Sequence, residues 1–136
     1  MRALHTAALA AAAWLAGASA AQACRCIEPE APVAYRAAGV VALVRVTEAS
    51  APGAAGAQEA VAAVERAWKA PLGPVISLAT GGDCPFLLEA GGRYLLFLAP
   101  AEGAAAHAAY RCRGNRPEAA AGPALRWLAA HGRRTR

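Results

Sequence analysis

Four cysteines, Cys24, Cys26, Cys84 and Cys112, are the residues of this 136-residue chain best suited to covalent or metal chemistry. Only Arg25 separates the first two. A disulfide between them would close a very small, strained ring. Each must therefore reach a distant partner, and two pairings with Cys84 and Cys112 remain open. Either pairing closes loops of about 60–90 residues, to which the chain-entropy model assigns roughly 4 kcal/mol. Two other chemistries fit Cys-Arg-Cys less well. A redox thiol pair is expected as C-x-x-C beside a βαβ pattern. A soft-metal or copper site needs reduced thiols, which an oxidising compartment disfavours.

The remaining polar residues offer little catalytic material. Past the first 23 residues the chain has one Asp (Asp83), two His (His107 and His131) and two Ser (Ser50 and Ser77). H-E-x-x-H, G-x-S-x-G and a glycine-rich phosphate loop are all missing from the sequence. A binding protein is expected rather than an enzyme, with no cofactor.

The compartment is read from the first residues. Arg2 precedes an apolar run from Ala7 to Leu15, then small residues and Ala21-Gln22-Ala23. That is the n-region, h-region and A-x-A order of a secretory signal peptide, residues 1–23. The run is too short to span a bilayer, which takes about 20 residues. An uncleaved anchor is one alternative. Lipidation of Cys24 is another, but Ala21 stands where such signals usually carry Leu. Cleavage after Ala23 leaves a domain over 24–130 and a basic tail over 131–136, secreted or periplasmic, with no membrane span.

The formal charge of +5 falls by one when Arg2 leaves. Basic residues are scattered, with small groups at Arg111, Arg113 and Arg116 and at Arg133, Arg134 and Arg136. Nucleic-acid binders usually gather charge on one face beside stacking aromatics. No nucleic-acid partner is expected, and the charged tail reads as solvated. Abundant Ala buries little surface, so the core is thin and benefits from covalent staples.

These residues need a scaffold. A short helix is expected from about Glu30 to Ala38, with Pro32 in its first turn, Gly39 ending it, and Val33, Ala34 and Ala37 inward. Strands are expected over Val40–Thr47, Glu59–Lys69, Val75–Thr80 and Arg93–Ala99, the last buried on both faces. A short strand around His107–Cys112 and a helix over Pro117–Ala130, broken near Gly122-Pro123, complete the set. Five strands with a helix at each end predict a mainly β fold, a small antiparallel barrel that closes its own edges.

A mature N-terminal Cys-x-Cys, a short helix and a Val-rich strand come first. Then follow Val64-Glu65-Arg66-Ala67-Trp68-Lys69, Thr80-Gly81-Gly82-Asp83-Cys84, Gly91-Gly92-Arg93-Tyr94-Leu95-Leu96-Phe97 and Cys112. This order resembles the tissue inhibitors of metalloproteinases and the wider netrin-like module, over about Cys24 to Leu128. The resemblance implies a five-stranded OB-like barrel and the pairing Cys24 with Cys84 and Cys26 with Cys112. It also implies a mechanism. The α-amine and carbonyl of Cys24 chelate, in trans, the zinc of a target metalloprotease, and Arg25 enters its specificity pocket. Cys26, Ile27 and the turn Gly81, Gly82 and Asp83 complete an inhibitory edge. The chain differs in carrying Arg25 where a small Ser or Thr is usual, and Ile27-Glu28-Pro29 where an apolar residue and Pro are usual. An envelope protein-interaction module of the same fold is the alternative. A monomer is expected in either case.

Overall fold

The structure is a computed structural model that describes residues 25–82, 84–101 and 103–135. The expected signal peptide, Cys24 and Asp83 lie outside the described residues.

Five strands form a closed barrel: β1 (Val40–Ala49), β2 (Gln58–Trp68), β3 (Val75–Thr80), β4 (Arg93–Pro100) and β5 (His107–Ala108). β1 pairs antiparallel with both β2 and β4, β2 with β3, and β4 with β5. The circle closes through a parallel pairing of β3 with β5. This is an OB-like barrel, and it is flanked by two helices, α1 (Ala31–Ala37) and α2 (Gly122–His131). Two short strands lie outside the circle. β6 (Arg116–Pro117) pairs with β4, and β7 (Arg134–Thr135) pairs with β2. Among the described residues no helix is long and apolar enough to cross a membrane.

The barrel has two cores, and the period of two in a strand divides them. Val40, Ala42, Val44 and Val46 of β1 face the barrel interior with Tyr94, Leu96 and Leu98 of β4. Val41, Leu43, Leu95 and Phe97 face outward and are covered by Ala31, Ala34, Ala124 and Leu128 of the two helices. That double burial is why β1 and β4 read as nearly continuous apolar runs.

Coiling a sheet this tightly needs bends. The β1–β2 register shifts twice, leaving Thr47 extra on β1 and Glu65 extra on β2. Such bulges bend a strand and re-aim side chains. Thr47 Oγ1 donates to the Val61 carbonyl at 3.1 Å. Glu65 turns outward to take Arg93 and Arg45 as ion partners. Arg93 also pairs with Glu118, so the four charges cross β1, β2 and β4 as one network.

Several expectations are corrected. α1 turns Ala34 inward as expected, and Ala31 with it, whereas Val33 and Ala37 are exposed. Small side chains allow α1 to approach closely: a Cβ placed on Gly114 would lie 2.8 Å from that of Ala34. Gly39 does not cap the helix. Ala38 is the cap residue, in extended conformation. The helix end is closed instead by Lys69, whose ammonium donates to the carbonyls of Tyr35 (2.8 Å), Arg36 (3.1 Å) and Ala38. A cation at a helix C-terminus also suits the helix dipole.

β5 is shorter than expected, because Tyr110 leaves the ladder to bridge Pro85 and Cys112 adopts a left-handed backbone (φ 63°). Pro117 belongs to β6, and a 3₁₀ turn at Glu118–Ala120 precedes α2. The segment expected as a solvated tail is tied down. Its residue 131 ends α2, Arg134 and Thr135 pair with Trp68 and Ala67, and the Arg133 carbonyl accepts the Lys69 amide at 2.8 Å.

Candidate functional site

The segment after Arg25 has no regular hydrogen-bonded structure, yet a disulfide and three hydrogen bonds to residues 112–116 hold it. A disulfide joins Cys26 to Cys112, with Cα atoms 5.6 Å apart. The Glu28 carboxylate accepts the backbone amides of Cys112 (3.2 Å) and Gly114 (3.1 Å). Arg116 donates to the Pro29 carbonyl at 3.3 Å and to that of Gly114 at 2.8 Å. The left-handed backbones of Cys112 and Gly114 (φ 96°) turn both amides toward the carboxylate, an anion-binding concavity of the kind that successive amides form. Asn115, only 4% exposed, supports the turn from behind. Its Oδ1 accepts the Phe97 amide and its Nδ2 donates to the Tyr110 carbonyl, each at 2.6 Å.

Cys26, Glu28 and Cys112 bring their ligand atoms within 4.8 Å of one another. The two sulfurs are bonded to each other, however, and the carboxylate is already satisfied. Cys84 is also in a disulfide, and none of the described cysteines is a free thiol. In this oxidised form the described cysteines offer no free thiol to a soft metal.

Two further loops join this edge. The Pro85 ring packs on Gly56, where a Cβ would fall 2.3 Å from the ring and φ is 65°. Gly81 approaches Ala57 so closely that a Cβ would sit 3.4 Å from its Cα. The turn at Gly81-Gly82 therefore rests on the β1–β2 loop. Pro85 in turn bridges Tyr110, on the way to Cys112. Gln58 holds the far side of the β3–β4 connection, because its amide exchanges bonds with both backbone groups of Leu88 at 2.8 and 2.9 Å.

Of the expected edge residues, Arg25, Ile27 and Gly82 are exposed and Cys26 and Gly81 are partly buried. Ile27 is 95% exposed, and Tyr110 is 39% exposed. Asp83 and Cys24 belong to the expected edge but lie outside the described residues. Sequence reasoning missed Glu28, Tyr110, Asn115 and Arg116. Glu28 left one signal, its place where an apolar residue or Pro was expected. The other three left none.

The Ser50 and Ser77 hydroxyls and the His131 ring make structural contacts. Ser50 Oγ accepts the Glu59 amide at 3.0 Å, and Ser77 Oγ accepts the Ala106 amide at 2.9 Å. His131 stacks on Trp127 with ring centroids 5.0 Å apart. His107 is partly buried at the mouth of the barrel, and burial pushes its pKa below the ordinary value. A cleft of about 430 Å³ between Glu48, Ser50, Glu59 and Ser77 lies on β2 and β3, and Ala104 and Ala105 close it. It includes none of residues 25–28. Comparison of the chain with models of protein families, with curated proteins and with solved structures finds no match, so the chemistry of the edge is given by its own residues.

Proposed function

We propose that this chain is an extracytoplasmic inhibitor of zinc metalloproteases, related in mode to the tissue inhibitors of metalloproteinases, and that it binds rather than catalyses. One observation carries the reading. The segment that begins at Arg25, inside the Cys-x-Cys motif, is fixed on an OB-like barrel by Cys26–Cys112 and by Glu28, with Arg25 and Ile27 exposed. A segment held in its binding conformation loses little freedom on docking, which is the main cost of presenting a loop to a cleft.

In this reading cleavage before Cys24 frees its α-amine. A catalytic zinc keeps one coordination position open. The amine, with a reference pKa of about 7.7–8, ligates once it is neutral. The Cys24 carbonyl completes the chelate, and Arg25 enters the pocket beside the zinc. A cation enters an apolar pocket at high cost, so the target pocket is acidic. Arg25 also supports a second reading, an envelope interaction module that uses the same edge without a zinc.

The test is inhibition of a panel of zinc metalloproteases, with acidic and apolar pockets, by the chain beginning at Cys24. A variant with one extra Ala before Cys24 runs beside it. Inhibition by the first alone is expected. Equal potency of both forms would exclude the amine–zinc contact, and no inhibition by either would leave the interaction module.

A further inference from the structure

The barrel brings together cationic side chains that the sequence scatters. Cys26 and Cys112 are 86 positions apart, yet their Cα atoms lie 5.6 Å from each other. Arg25 therefore sits beside Arg111 and Arg113, the neighbours of Cys112 in the chain. All three are exposed. Among the described residues none of them has an ion partner, because the ion pairs all involve Arg45, Glu65, Arg93 and Glu118. The carboxylate of Glu28, two positions from Cys26, is turned onto the amides of Cys112 and Gly114. Glu30 follows it at the start of α1 and is exposed. Among the described residues three exposed arginines thus stand here against Glu30 and a Glu28 already engaged by amides. Two exposed apolar side chains adjoin them in the chain: Ile27, almost fully exposed, beyond Cys26, and Tyr110, just before Arg111.

We infer that this edge docks on an acidic protein surface that has an apolar floor, with Arg25, Arg111 and Arg113 reaching carboxylates around Ile27 and Tyr110. The inference rests on taking the edge as the contact surface, as the proposed function does, but it does not need the partner to be a protease. Charge complementarity sets the sign of the partner. Arginine forks suit carboxylates, and Tyr and Arg are the residue types that dominate protein interfaces. A protein partner is favoured over a lipid surface or a polysaccharide because the segment is rigid. A disulfide, a carboxylate on two amides and Arg116 hold one shape, which a fluid bilayer would not reward.

The experiment uses the oxidised chain beginning at Cys24. Its amide spectrum is followed as four probes are added at low salt: a synthetic peptide of glutamate and leucine, an all-glutamate peptide of equal charge, a heparin oligosaccharide, and vesicles of phosphatidylglycerol and phosphatidylethanolamine. The expected result is tightest binding of the glutamate–leucine peptide, with shifts confined to residues 25–28 and 110–114. Arg111→Gln with Arg113→Gln should weaken it by about tenfold at low salt and by less at high salt. Arg111→Lys with Arg113→Lys should restore most of the loss, with the same melting temperature in all forms. Tighter binding of heparin or vesicles would overturn the inference, as would shifts centred on Arg133–Thr135 or a Gln pair that binds normally. Peptide binding without any metalloprotease inhibition would sink the protease reading alone. Inhibition without peptide binding, indifferent to the Gln pair, would sink this inference alone.

Discussion

The carboxylate of Glu28 accepts the amide of Gly114 at 3.1 Å, across 86 positions of sequence. The same carboxylate takes the amide of Cys112, so one side chain and one disulfide fix the same turn. Gly114 is required there twice over. Its φ is 96°, and a Cβ would lie 2.8 Å from Ala34 and 3.0 Å from Phe97. The edge, the helix α1 and strand β4 thus meet at one residue without a side chain.

Glu28→Gln should lower unfolding stability by only about 0.5–1.5 kcal/mol, since these bonds are close to solvent. Its larger effect should be local, a faster tryptic cut after the exposed Arg25. Gly114→Ala should cost at least about 2 kcal/mol from backbone strain and overpacking. Denaturant unfolding and a timed digest check both. An unchanged digestion rate for Glu28→Gln would remove its role in ordering the edge.

Lys69 is the residue that closes α1, with three carbonyls around its ammonium and the Tyr35 ring 5.4 Å away. Its own φ is 77°. Asn tolerates that backbone but lacks the cation. Lys69→Asn should therefore isolate the loss of the cap, at about 1–2 kcal/mol by urea unfolding. A neutral result would mean that water replaces the ammonium without cost.

The Cys26–Cys112 bond closes a loop that spans 86 positions. Replacing both residues by Ser should cost about 4–5 kcal/mol in the chain-entropy model. In a domain whose net stability is only about 5–15 kcal/mol, the melting temperature should fall steeply. A shift of only a few degrees in calorimetry would show that Glu28 and Arg116 hold the turn unaided.

Stability should depend on pH through two groups of opposite kind. The hydrogen bond from Arg93, with the charges of Arg93, Arg45 and Arg66, holds Glu65 below its ordinary value of 4.5 against the effect of burial. Its stabilisation is full above 4.5 and is lost as pH falls through the lower folded value. Glu65→Gln should flatten that acid limb in melting curves, and parallel limbs would deny the contribution.

His107 also has a lowered pKa, in its case from burial alone, against an ordinary 6.5. The pH dependence has the same sign as for Glu65, in a window nearer neutrality. As pH drops below 6.5 the unfolded chain takes the proton first, so stability declines until the folded value is passed. His107→Gln should remove this decline between neutral pH and mild acid. A variant that declines as the parent does would place the sensitivity elsewhere.

Much of the scaffold was legible in the sequence because strand burial repeats every two residues. β1 and β4 stand out for that reason, since both of their faces are covered. β2 was harder, because its alternation breaks where Glu65 and Arg66 are exposed in succession. A bulge is a choice of pairing register, which depends on the partner strand as much as on the sequence of β2. β6 and β7 are two residues each and carry no period at all. The helix face of α1 was read only in part: Ala34 is buried as expected, but hydrophobicity pointed to Val33 where close packing selected Ala31.

At the candidate edge, the sequence by itself determined the cysteines, their spacing, and that Cys24 and Cys26 have to part company. It also determined the turns, since Gly81 and Gly82 stand where positive φ is needed. Only the tertiary structure decided that Cys112 belongs to Cys26, that Glu28 lies on the amides beside it, and that Arg25, Arg111 and Arg113 share one face. The physical reason is range. Turn and strand preferences act between near neighbours, whereas a disulfide and a carboxylate on distant amides form only after the closed barrel has brought the two ends of the domain to the same rim.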